Sequence, residues 1–253
     1  MKNYDAVIFD LDGVITKTAL VHAASWKQMF DEYLKLREQR DKELFKEFTH
    51  EKDYLPFVDG KPRYKGVESF LESRGINIPF GDPTDVPGEE TACGLGNKKN
   101  VKFKSILEEK GAEVFDPAVA LMKDLKANGI HIGVASSSKN CQLILQKTGL
   151  EDLFETRVDG VVSAEMGLKG KPEGDIFVTA CENVGCTPDR AVVVEDAVSG
   201  VQAGKNGGFA LVLGVAREGN DDDLKNNGAD IVVNHFEGVN AQKIEEWLEE
   251  IKK

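Results

Sequence analysis

The chain has 253 residues, 41% hydrophobic and 30% charged, a globular composition with length for one large α/β domain or two smaller ones. Its formal charge of -12 disfavours nucleic acid and anionic membrane as partners, and no apolar run approaches the roughly 18 residues of a membrane span. The four cysteines are scattered without a C-x-x-C pair, which argues against zinc and for free thiols in a reducing compartment; with MKNYDAVIFD meeting an acid too early for a signal peptide, the expected location is the cytoplasm.

Ala6–Phe9 is the first expected strand, a short buried apolar run. From about residue 17 to 110 the pattern turns helical. Ala19–Glu38, Lys42–Thr49, Lys65–Arg74 and Asn97–Lys110 are expected helices, and Ile78–Gly96, with three prolines and four glycines, is an expected loop. Strands then alternate with helices. The expected strands are Ile130–Ala135, Ala191–Val194, Phe209–Leu213 and Ile231–Val233. The expected helices are Pro117–Asn128, Asn140–Thr148, Asp175–Val184, Val198–Asn206 and Asn240–Ile251, several ending at glycine. Such alternation predicts an α/β fold, a doubly wound parallel sheet covered on both faces. The core is expected from residues 1–16 and 111–253, with a helical cap, 17–110, inserted after the first strand.

Polar residues gather where strands end. The first strand stops at Asp10 and Asp12, the second at Ser136-Ser137-Ser138, and AVVV at Glu195-Asp196, while Lys171 sits in a loop, GKPEGDIF. Taken singly, an acid after a strand serves as a turn residue or helix cap. Four such features converging on one sheet edge exceed turn chemistry, since open parallel sheets bind ligands at that edge. Two carboxylates about 4 Å apart repel by about 4 kcal/mol at an effective dielectric of 20, so the pair in DLDG needs compensation. Hard oxygen donors from Asp10, Asp12, Glu195 and Asp196, with no His or Cys nearby in sequence, suit Mg²⁺. Residues two apart in a strand share a face, so Asp10 can act as nucleophile while Asp12 carries protons. Ser136 and Lys171 then bind the remaining phosphoryl oxygens.

DLDGV, the serine after the second strand, the lysine of GKPEGDIF and the ED pair resemble, in that order, the four motifs of the haloacid dehalogenase superfamily. The resemblance implies phosphoryl transfer through an aspartyl-phosphate, with a helical cap after the first motif. Dehalogenating members lack the second aspartate, so Asp12 points away from carbon–halogen cleavage. Within the superfamily, DLDGVITKTALVHAASWK, VASSSKN and NKKN resemble the β-phosphoglucomutase branch. That likeness implies substrate-binding roles for His22, Trp26, Lys99 and Asn100, for Ser138, Lys139 and Asn140, and for Arg63 on a distal phosphate. By helical spacing alone, Trp26 among Ala23, Met29 and Phe30 reads as core, and Lys98, Lys99 and Lys102 as a solvated face. The cap is longer than in that branch, and Gly174 stands where a proline is usual after the motif lysine.

Three functions are weighed. A mutase moves phosphate within a sugar; a phosphatase gives the same phospho-Asp10 to water; a receiver-like signalling domain uses only the phospho-acceptor. The insertion and Asp12 argue against the third, because a receiver needs no lid. The expectation is a mutase in which the cap excludes water, acting on a small sugar phosphate, as a monomer or weak homodimer.

Overall fold

The computed structural model describes residues 3–42, 44–217 and 219–251. It forms two compact units, residues 1–17 with 112–253, and residues 18–111. In chain order the elements are β1 (Ala6–Phe9), then α1 (Thr18–Asp41), α2 (Leu55–Phe57), α3 (Arg63–Ser73) and α4 (Ala92–Lys110) of the second unit. The chain continues with α5 (Asp116–Ala127), β2 (His131–Ala135), α6 (Cys141–Thr148), β3 (Thr156–Val158) and α7 (Gly160–Met166). It ends with α8 (Asp175–Asn183), β4 (Ala191–Glu195), α9 (Val198–Asn206), β5 (Leu211–Val215), α10 (Asp221–Asn226), β6 (Ile231–Val233) and α11 (Ala241–Ile251).

The sheet is six-stranded, ordered β3-β2-β1-β4-β5-β6, and every pairing is parallel. This is a doubly wound Rossmann-like order, in which consecutive strands run outward from β1 in two directions. β1 therefore lies between β2 and β4, with Phe9 in register with both Val134 and Val194. The residues just past the ends of these three strands leave the sheet side by side. β1, β4 and β5 are buried along their whole length, and Ile8, Val193 and Val212 pack with Phe177 and Ala180 of α8 and Val201 of α9.

The unit of residues 18–111 has its own core. In α1, buried Ser25/Trp26, Met29/Phe30 and Tyr33/Leu34 recur at four-residue steps, which makes one apolar stripe. That stripe packs with Phe48, Val67, Phe70, Leu71 and Leu95. The Phe30 ring lies 5.3 Å from Trp26, 5.0 Å from Phe48 and 4.2 Å from Phe70.

Several boundaries differ from those expected. Lys42–Thr49 is not helical among its described residues; Glu43 lies outside them. Side chains take the backbone donors there: Phe48 N–H donates to Asp31 Oδ1 at 2.8 Å and Thr49 N–H to Asp53 Oδ2 at 2.8 Å. A π-helical turn, His50–Tyr54, comes next. At the other end, α4 begins at Ala92 rather than Asn97, because Thr91 accepts from Gly94 N–H at 2.9 Å as an N-cap. The preceding loop is held by Glu90, which receives Arg40 and, at 2.9 Å, Tyr33 Oη–H.

Gly174, which the sequence reading sets against a proline in the resembled family, packs on backbone. A Cβ there would stand 2.7 Å from Gly207 Cα, 2.8 Å from Gly207 N and 3.0 Å from Ala203 O. None of these can swing aside as a side chain tip would. Gly174→Ala is expected to lower stability by about 1–3 kcal/mol, the usual cost of overpacking. Gly174→Pro, which restores the family residue, is expected to cost at least as much. Urea unfolding midpoints check both; unchanged midpoints would show that the 206–208 backbone yields freely.

Candidate active site

β1 ends at Phe9, and Asp10 N–H still bonds Val194 O at 2.9 Å, so Asp10 is held as the last rung of the sheet. Its side chain is only 8% exposed. Lys171 Nζ donates to Asp10 Oδ1 at 2.6 Å and to Glu195 Oε1 at 2.5 Å, and the side chains of Lys171 and Glu195 are each 1% exposed. The ammonium also lies 4.8 Å from the centroid of the Phe177 ring. Burial pushes the Asp10 carboxyl up, Lys171 opposes this, and the Glu195 and Asp12 carboxylates add to it. Burial works against the Lys171 charge, but Asp10 and Glu195 outweigh it and hold the ammonium above the ordinary lysine value. An ammonium has three donors, and these two carboxylates account for two of them.

Beyond Asp10 the chain turns tightly. Ile15 and Thr16 N–H both donate to Leu11 O at 3.0 Å, and Gly13 N–H donates to Thr16 O at 2.7 Å. Gly13 has φ +88°, and a Cβ on it would fall 1.7 Å from Asp196 Oδ2. Only glycine lets the Asp196 carboxylate lie against the turn that carries Asp12. Ser136, buried after β2, donates from Oγ to Asp12 Oδ2 at 3.5 Å and accepts from Ser138 N–H at 3.1 Å. Asp10, Asp12, Ser136, Lys171, Glu195 and Asp196 thus meet at one edge of the sheet.

Glu195 has a second task beside the expected one. Its Oε1 receives Lys171 and its Oε2 receives Ala197 N–H at 2.6 Å, so both oxygens are already engaged. It fixes the lysine, as Asp10 does from the other side, and each engaged oxygen keeps a second lone pair, so Asp10, Asp12, Glu195 and Asp196 all stay candidate cation ligands. Among the described residues no three His, Cys, Asp or Glu side chains form a ready-made cation cage. The donors are nevertheless carboxylate oxygens without nitrogen or sulfur. That set fits Mg²⁺, which takes one or two carboxylates and completes its shell with water and substrate phosphate.

The remaining expected residues divide between the two units. Ser138 Oγ accepts from Asn140 N–H at 3.2 Å and so helps open α6; Asn140 is buried, and Lys139 is half-buried beside Gly160. In the helical unit, Lys99 is buried and its Nζ lies 2.5 Å from His22 Nδ1. With lysine donating, Nδ1 is the acceptor, and the proton of a neutral His22 sits on Nε2. Lys99 lies 5.0 Å from the centroids of both the Trp26 and Phe103 rings. Trp26, expected as a substrate contact, is 4% exposed and stacked on Phe30 inside that unit's core. Arg63 donates to Asn100 Oδ1 at 2.9 Å, and Lys98 and Lys102 both pair with Glu32.

Arg217 escaped the sequence reading. Its Nε donates to Gly13 O at 2.9 Å and its Nη2 to Val14 O at 3.3 Å. The sequence offers only a lone arginine after an apolar run, some two hundred residues from Gly13.

A family model for haloacid dehalogenase-like hydrolases matches residues 4–208. The chain belongs to the haloacid dehalogenase-like hydrolase family. The chain is 47% identical over 231 residues to a β-phosphoglucomutase of Mycobacterium bovis, spanning 90% of this chain and 88% of that one. It is 32% identical over 245 residues to a Bacillus subtilis β-phosphoglucomutase, covering 96% and 95%. A crystal structure of β-phosphoglucomutase from Clostridium difficile superposes with a TM-score of 0.75 at 25% identity, over 98% of this chain and 99% of that one. This haloacid dehalogenase-like hydrolase is accordingly an enzyme of the family's phosphomutase or phosphohydrolase kind. No described helix in it is long and apolar enough to cross a membrane.

Proposed function

We propose that this enzyme is a β-phosphoglucomutase-type mutase, moving a phosphoryl group within a small sugar phosphate through an aspartyl-phosphate at Asp10. The observation that carries the reading is a buried carboxylate clasped by Lys171 at 2.6 Å, next to the Asp12–Ser136 pair, in a chain 47% identical to a named β-phosphoglucomutase.

Each residue then has a chemical task. Phospho-Asp10 gives its phosphoryl group to the sugar 6-hydroxyl while Asp12 accepts the hydroxyl proton. The bisphosphate then presents its other phosphoryl group. An Asp10 oxygen attacks that phosphorus, the bond from phosphorus to O1 breaks, and Asp12 returns its proton to O1. Lys171 and Ser136 donate hydrogen bonds to the phosphoryl oxygens as charge builds on them. Asp10, Asp12, Glu195 and Asp196 would supply the carboxylates for Mg²⁺, which when bound neutralises charge on the phosphate and on the carboxylates.

The test is a product ratio. The enzyme is incubated with Mg²⁺, β-glucose 1-phosphate and a trace of the bisphosphate, and glucose 6-phosphate and free phosphate are measured together. Glucose 6-phosphate in large excess is the expected result. Free phosphate as the main product would replace the mutase reading with that of a phosphatase, which shares Asp10 but hands its phosphoryl group to water. Excess chelator is expected to remove turnover and added Mg²⁺ to restore it; full activity in chelator would take the ion out of the reaction.

A further inference from the structure

The turn after β1 closes on itself through the carbonyls of Leu11 and Thr16. The carbonyls of Gly13 and Val14 are satisfied from elsewhere, by the Arg217 fork, although Val14 and its neighbours Leu11 and Ile15 are wholly buried. Arg217 lies two residues past β5, and its Nη1 donates to Asn234 O, just past β6, at 3.3 Å. Its guanidinium carbon lies 3.8 Å from the centroid of the Phe115 ring and 5.5 Å from that of Phe236. A planar fork stacked on an aromatic ring and bonded to three carbonyls has little freedom. It grips the residue immediately after Asp12, at the glycine against which Asp196 lies.

We propose that Arg217 is a positioning residue for Asp12, holding the Gly13–Val14 backbone so that the Asp12 carboxylate stands in line for proton transfer. The proposal rests on the reading of Asp12 as the proton carrier. A displacement near 1 Å at a reacting group can cost about 100-fold in rate, so a clamp on the adjacent peptide is enough to matter. Lysine at 217 would keep the charge but reach one carbonyl at a time, and glutamine would keep a donor without the charge or the fork.

The test compares two substrates whose demands for a proton differ. β-Glucose 1-phosphate, assayed with trace bisphosphate, needs proton transfer at its sugar oxygens. p-Nitrophenyl phosphate loses an anion that needs no proton as Asp10 is phosphorylated, and it is read as the single-turnover burst of nitrophenolate, before water, which does need a base, attacks phospho-Asp10. Arg217→Lys and Arg217→Gln are expected to lose about 10- to 100-fold in kcat on the sugar phosphate, with KM little changed, and to stay within about threefold in the burst rate on the aryl phosphate. Phe115→Leu keeps every hydrogen bond and removes the stacking face; it is expected to show the same bias, smaller, and serves if the arginine variants fold poorly. Asp12→Ala is run beside them as the reference. If Asp12→Ala separates the two substrates and the Arg217 and Phe115 variants do not, the positioning role is overturned and the acid–base reading stands. If Asp12→Ala itself loses both substrates equally, the acid–base reading fails and the role built on it falls too. Losses that track only the folded fraction, measured by urea unfolding of each variant, would make Arg217 a structural residue alone.

Discussion

Asp10→Asn is expected to leave a folded protein with no measurable turnover. The amide is nearly isosteric with the carboxyl, and its oxygen can still accept from Lys171, so the last rung of β1 and the lysine keep their places. What is lost is the anionic oxygen, and an amide oxygen does not attack phosphorus at a useful rate. No acid-stable, hydroxylamine-sensitive phospho-enzyme should form from labelled substrate. The stability effect has a definite sign. Burial raises the Asp10 carboxyl above its unfolded value. Above the unfolded pKa the folded state then bears the cost of an ionised or newly protonated buried acid. A neutral amide removes that cost while Glu195 still pairs with Lys171, so the variant should be no less stable than the parent at pH 7. Turnover above a trace in Asp10→Asn would move the nucleophile to another residue.

Lys171→Met is expected to damage both fold and activity. The substitution leaves two carboxylates, on Asp10 and Glu195, buried without their common cation. Removing one partner of a buried ion pair costs about 3–5 kcal/mol, because the remaining charge has neither water nor counter-ion. In a unit of this size that lowers the melting temperature by roughly 10 °C. Under the proposed mechanism activity should fall by at least about 100-fold, since the donor assigned to the transferring phosphoryl group is gone. The double variant Lys171→Met/Glu195→Gln separates the two losses. Neutralising Glu195 should recover much of the stability and none of the turnover. Recovery of turnover in the double variant would reduce Lys171 to a structural counter-ion.

The sheet was legible wherever a strand is apolar throughout. Ala6–Phe9 and Ile231–Val233 coincide with their apolar runs, and Ala191–Glu195 extends its run by one residue. β5 begins two residues later than the run at Phe209, because Phe209 N–H caps α9 through Gly204 O and its ring packs against Phe177. β3, with Arg157 at its centre, is a short edge strand carrying no apolar pattern. α7 and α10 are short, and α10 opens on three aspartates, so neither has a stripe to read. The edge residues were legible because parallel strands all point their carboxyl ends, and the residues beyond them, to one side of the sheet. Glu195 was legible as a member of the group but not in its grip on the lysine, since only three-dimensional packing directs its two oxygens to Lys171 and Ala197. Arg217 was invisible for a related reason: its partners are backbone carbonyls, which leave no trace in side-chain chemistry.

The two segments that lead into and out of residues 18–111 touch each other. Thr16 pairs with Val114 in an antiparallel bridge, Lys17 N–H donates to Glu113 O at 2.9 Å, and Phe115 N–H donates to Ile15 O at 2.8 Å. This has a kinetic consequence for assembly. β1 must find β2 and β4 across the whole insertion, a long-range closure that slows a nascent sheet. If the insertion collapses first around its own aromatic core, its two ends are brought together and a loop of roughly a hundred residues becomes a tether of a few. By the logarithmic dependence of closure entropy on length, that is worth about 3 kcal/mol at the step where β1 joins the sheet. The inserted helices then act as a template for the register of the strand that carries the candidate nucleophile. Disrupting Phe30 or Phe70 should slow refolding of the sheet even though neither residue belongs to it.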